Sequence, residues 1–242
     1  MIIDVTNTIG RHKFKPEITA ESLLEQMDKA GIDMAVIFCY AESLDNESVY
    51  NAIHKYPDRF IGLYTVNPWA DNAAEELEDA LQNKGFKGLY MNPIRHGYML
   101  CEHQLTYPLL KVVEKYHGVV WCYGAAETFS LPVFFHDMCK DFPDVNFIMG
   151  RCGVSYDNAT AVEILKRYPN IYTDTSSGMD FHALRAMRVG GTDKVMMGTG
   201  TPECNYFEIE LKKVKNCVAH FPGEEDKVLY KNAARIFGLE VE

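Results

Sequence analysis

Apolar positions along the chain fall into two alternating patterns. Short β-branched or aromatic runs, such as Met34 to Cys39 (MAVIFC) and Val119 to Cys122 (VVWC), give way to longer stretches with apolar residues at three- and four-residue spacing. That alternation is the mark of repeated βα units around a parallel sheet. The strands it predicts are Ile2 to Val5, Met34 to Cys39, Phe60 to Thr65, Gly88 to Met91, Val119 to Cys122, Asn146 to Met149, Ile171 to Asp174 and Val195 to Gly198. Between them, Thr19 caps a helix with Leu23, Leu24, Met27 and Ala30 on one face and Gly31 as its stop. Further helices are expected over Asn46 to Lys55, Ala73 to Gln82, Leu105 to Tyr116, after Pro132, and over Asn158 to Arg167, Phe181 to Val189, Tyr206 to His220 and Asp226 to Phe237. Eight such units predict an α/β fold, a compact (β/α)8 TIM barrel forming a single domain over residues 1–242.

Composition narrows the function classes. The formal charge of −10, with no basic stripe, argues against nucleic acid. No apolar run is long enough to span a membrane, and the opening MIIDVTNTIG lacks the parts of a signal peptide. The 7 cysteines are scattered and odd in number, which fits free thiols in a reducing compartment, so a cytoplasmic protein is expected. The loop from Ile94 to Gln104, with His96, Cys101 and His103, is long enough to suggest a role.

Several segments resemble the amidohydrolase-related (Amidohydro_2) family of metal-dependent hydrolases and decarboxylases. They are Ile2-Ile3-Asp4 with Gly10, KGFKGLYMNP (Lys84 to Pro93), FPDVNFIMG (Phe142 to Gly150), KVMMGTGTP (Lys194 to Pro202) and KNAARIFGL (Lys231 to Leu239). The resemblance implies a divalent metal at the barrel mouth that activates water, with an aspartate on the last strand as base. The residues at the implied positions differ. The HxH pair of the first strand falls on Thr6 and Thr8, the fifth-strand histidine on Cys122, the sixth-strand histidine on Arg151 and the aspartate on Gly200; a lysine used by some relatives falls on Tyr90. Hydroxyls are poor zinc ligands, and a guanidinium repels a nearby dication. On this reading the metal site is absent and no cofactor is expected.

The strand ends still bring Thr6, Thr8, Tyr90, Cys122, Arg151, Asp174 and Thr199 to the mouth, as a ligand-binding set suited to a small carboxylate or phosphate. Against that stands internal pairing of Arg151 with Asp174 or Glu127. Cys122 is the one candidate nucleophile, as a thiol beside a cation, and packing is its ordinary role. A rebuilt soft-metal site from Cys39, Cys122, Cys152 and Cys204, or an acid or base among His12, His96, His103 and His182, stays open. The leading expectation is thus an amidohydrolase-like barrel with a degenerate, metal-free site for a small anion. Its rivals are an active hydrolase, lactonase or decarboxylase of the same family working without the usual metal or with rebuilt ligands, and a homo-oligomeric scaffold of the kind such folds often form.

Overall fold

The computed structural model describes residues 1–124, 128–153, 157–203 and 205–241. Its strands are β1 (Ile3–Ile9), β2 (Met34–Cys39), β3 (Phe60–Gly62), β4 (Tyr64–Thr65), β5 (Gly88–Met91), β6 (Val119–Tyr123), β7 (Asn146–Gly150), β8 (Ile171–Asp174) and β9 (Val195–Met196). All pairings are parallel, in the order β1-β2-β3 and β4 through β9. β3 and β4 are halves of one barrel strand that breaks at Leu63, whose N–H still donates to Ile37 O at 3.0 Å. Asn46 holds the second half in place by bonding both the N–H and the carbonyl of Thr65.

The last strand meets the first, which closes the barrel. Val5 N donates to Met197 O, Gly200 N to Thr6 O, and Asn7 bridges Thr201. Every residue of β1 is buried, and it runs on to Ile9 rather than ending at Val5, so Thr6 and Thr8 lie within the strand. Both faces of these strands are covered, as a parallel sheet requires. Among the described residues the outer layer includes α1 (Ala20–Ala30), α2 (Asn46–Lys55), α3 (Ala73–Asn83), the short α4 (Pro93–His96), α5 (His103–Lys115), α6 (Phe135–Asp141), α7 (Asn158–Arg167), α8 (Asp180–Arg185), α9 (Phe207–Val218) and α10 (Asn232–Phe237). Thr19 caps α1 through the N–H of Ser22, and Gly31 ends it in the left-handed conformation.

Two expected helices change pitch. Ala186–Gly190 follows α8 as a π-helix, and Lys227–Lys231 is a π-helical turn leading into α10. The long loop after β5 is packed as well. Tyr98 and Leu100 are buried, Leu100 N donates to Phe129 O, and the Trp69 indole donates to His96 O.

Candidate functional site

The barrel interior is filled by aromatic rings. Phe38 on β2 stacks on Tyr90 of β5 with centroids 3.9 Å apart, and Trp121 of β6 lies 5.2 and 5.3 Å from the two. Side chains alternate across a strand, so Trp121 and Tyr123 face inward and Cys122 faces the helices. The expected position of Cys122 is therefore displaced by one residue. Its thiol is fully buried and burial alone pushes its pKa up, with no contribution from Arg151, so the expected activation of a nucleophile is not supported. Cys39 and Cys152 are pushed up to about 12, again by burial first.

Trp121 braces two strands that are far apart in sequence. Its Nε1–H donates to Thr6 Oγ1 at 3.1 Å and to Asp174 Oδ2 at 3.0 Å, and Thr6 Oγ1 itself donates to the same Asp174 oxygen at 2.5 Å. The other oxygen, Asp174 Oδ1, accepts from Arg151 N, Ser176 N and Ser176 Oγ. Five donors thus occupy a carboxylate with about four lone-pair directions. The close approach needs small residues. A Cβ on Gly150 would sit 2.3 Å from the Trp121 ring, and one on Gly198 would sit 2.8 Å from both Asp174 and Thr6.

Arg151 pairs with Asp174 through its main-chain N–H, at 2.9 Å, and not through the guanidinium as one expectation had it. The guanidinium donates from Nη1 to Tyr123 Oη at 2.8 Å, with Cζ 4.3 Å from the Tyr123 ring centroid. Arg151 and Cys152 both have positive φ, 65° and 45°, a left-handed step after β7 that non-glycine residues seldom take. Glu127 and Cys204 lie outside the described residues.

A second buried carboxylate lies on β1. Asp4 accepts from Thr6 N at 2.9 Å, from Thr199 N at 3.1 Å and from Thr199 Oγ1 at 2.5 Å. Burial pushes its pKa up to about 7 against the pull of these donors, and the negative charge of Asp174 adds to the rise. Thr199 therefore serves Asp4 and does not project a free hydroxyl. Tyr90 is raised chiefly by burial, with Glu203 raising it further and Arg151 opposing. Glu203, at the turn after the last strand, also pairs with Lys15 at 3.8 Å.

The loop histidines are tied up locally. His12 Nδ1 accepts from Phe14 N, His96 Nε2 meets Ala41 O at 2.9 Å, His103 faces Asp137 at 3.5 Å and His182 Nδ1 accepts from Met179 N. Burial lowers the pKa of His96 and of His182. Among the described residues no group of three or more His, Cys, Asp or Glu side chains is placed to hold a metal.

A sequence profile described as amidohydrolase (Amidohydro_2) matches residues 9–239. The chain belongs to the amidohydrolase family. No curated protein matches it. Among solved amidohydrolase-fold structures, it is similar to a dihydroxybenzoic acid decarboxylase from Polaromonas sp. with bound manganese and 2-nitroresorcinol, at TM-score 0.78 and 16% identity over 100% of this chain and 98% of that chain. It is also similar to 5-carboxyvanillate decarboxylase from Sphingomonas paucimobilis, at TM-score 0.74 and 16% identity over 99% of both chains. A probable 2-pyrone-4,6-dicarboxylic acid hydrolase from Acinetobacter baumannii with citric acid bound gives TM-score 0.74 and 19% identity over 98% and 99%.

In this amidohydrolase barrel, then, the sequence-derived set divides. Thr6 and Asp174 meet directly, Tyr90 stacks nearby, Arg151 joins them through its backbone, and Cys122 is turned away. Trp121, Tyr123, Asp4 and Glu203 were missed. Counting back by two from Thr6 would have found Asp4, and shifting the fifth strand by one would have found both aromatics.

Proposed function

We propose that the chain is an amidohydrolase-family protein that binds a small carboxylate or phosphate at the C-terminal mouth of its barrel, anchored by Arg151, without a metal at the family's position. The observation that carries this reading is the Trp121 brace. Indole N–H is a donor with no lone pair to offer, and here it points between Thr6 and Asp174. The residues present do not fit a dication. Thr6 and Thr8 supply hydroxyls, the Asp174 oxygens are already engaged, and Arg151 adds a fixed positive charge. The left-handed pair at Arg151 and Cys152 supports a functional reading of that turn, since strain of this kind gathers at binding sites.

The test has two parts. Elemental analysis of untreated and metal-repleted protein is expected to show no stoichiometric zinc, manganese or iron, and such a metal in either sample sinks the reading. Arg151→Ala is expected to weaken binding of small aromatic or aliphatic carboxylates about tenfold or more with little change in melting temperature, as loss of a charge-assisted contact predicts. A variant that melts early and binds as before marks Arg151 as structural.

A second reading is an active hydrolase, lactonase or decarboxylase of the family with rebuilt chemistry. Asp4 favours it, because a carboxyl near pKa 7 can hold or release a proton at neutral pH. Turnover of carboxylated aromatics or lactones by purified protein, lost in Asp4→Asn, would establish it.

A further inference from the structure

We infer that the face of the barrel opposite the mouth carries a second binding site, for an oxyanion with two or more negative charges. A cavity of about 310 Å³ opens where β5 and β6 begin, closed on one side by the end of α10. Its charged lining is Lys87 and Arg235, with the imidazole of His117 beside them, and none of its described lining residues is acidic. In a chain of formal charge −10, a concave surface with basic side chains and no carboxylate is a local reversal of sign. Concavity focuses that field on whatever enters.

The backbone sets the three residues around one notch. Lys87 O accepts from Val119 N at 3.0 Å, which places the starts of β5 and β6 side by side and brings Lys87 next to the His117-Gly118 corner. Arg235 lines the cavity from α10; its Nη2 donates to Asp193 O at 3.0 Å and its Cζ lies 5.7 Å from the Tyr172 ring centroid, which leaves most of its five N–H donors for a further acceptor. Among the described residues no ion pair joins Lys87, His117 or Arg235 to a carboxylate. Two lysines nearby differ, for Lys115 pairs with Glu78 and Lys84 with Asp79. A bound anion gives Lys87 and Arg235 the charged partner they lack. Phe86 and Phe237 give the cavity an apolar wall, and its volume is at the small end of ligand sites.

Phosphoryl and carboxylate ligands share this chemistry, so the experiment uses one probe of each: pyrophosphate and tricarballylate, titrated calorimetrically into the full chain at constant ionic strength. In the Arg151→Ala background, which weakens the site proposed at the mouth, saturable binding of either probe is expected to persist, weakened about tenfold when Lys87→Gln or Arg235→Gln is added. The probe that binds names the source. Lys87 is exposed and its main-chain bonds survive substitution, so Lys87→Gln stays informative if Arg235→Gln unfolds; His117→Asn suits the left-handed backbone at φ 51° and serves as a third variant. The inference is overturned if neither probe saturates, if the lysine and histidine variants bind as wild type does, or if binding disappears with Arg151→Ala. That last result would assign the anion to the mouth.

Discussion

Asp4 is a buried carboxyl held far from the ionisation of a free aspartate. Its folded pKa lies above the value of 3.8 for a free side chain, so the folded protein holds a proton that the unfolded chain gives up between those limits. The stability from this proton is full below about pH 4 and is lost as pH rises through about 7. Asp4→Asn removes the titration, so the variant should gain on wild type by a few kcal/mol between pH 5 and pH 8. Urea melts of both proteins at the two pH values check it, and parallel curves would place the proton elsewhere. Trp121→Phe keeps most of the ring packing and removes one donor shared by two acceptors. A loss of about 1–2 kcal/mol is expected, against about 3–5 kcal/mol for Trp121→Ala. Sequence alone pointed to the right strand here and to the wrong residue. A single-residue slip reverses which side chains face inward, and the pattern VVWC is apolar on both faces, so nothing in it marks Trp121 over Cys122.

At the scale of elements, the expected strands and helices were largely legible because buried parallel strands and amphipathic helices leave different periods in the chain. The departures have local causes. β1 extends through Thr6, Asn7 and Thr8, polar residues that read as a loop until pairing with Ile37 and Phe38 of β2 and the closing contacts with Gly200 and Thr201 make them strand. The π-turns at Ala186–Gly190 and Lys227–Lys231 have no signature in apolar spacing over so few residues. The close packing of β1, β8 and β9 rests on Gly198, where a methyl group would strike Asp174 and Thr6 together. Gly198→Ala should cost about 1–3 kcal/mol, read as a lower urea midpoint with an unchanged slope. An unchanged midpoint would mean that the three strands can move apart freely.

For the whole molecule, closure between the first and last strands makes the two ends of the chain depend on one another. In Trp69→Phe, with its exposed indole gone, the remaining tryptophan fluorescence comes from Trp121 at the barrel centre. Its denaturation curve should coincide with that from circular dichroism, as one cooperative unit requires. Separate midpoints would show that the interior loosens before the helices melt. The family was legible from short motifs spread over the chain, yet the interior was not, because family motifs name positions and leave open what fills the space between them.

The brace at the barrel centre also bears on the protein's history. Positions 6, 121 and 174 hold one another through shared hydrogen bonds, so a change at one is felt at the other two. An imidazole placed at position 6 alone would crowd the indole and leave part of Asp174 without its donor. Any ancestral or engineered path between this interior and one lined with ligands therefore crosses a less stable intermediate unless two positions change together. The barrel is, in that sense, contingent: what it can become next is limited by the tryptophan it has already accommodated.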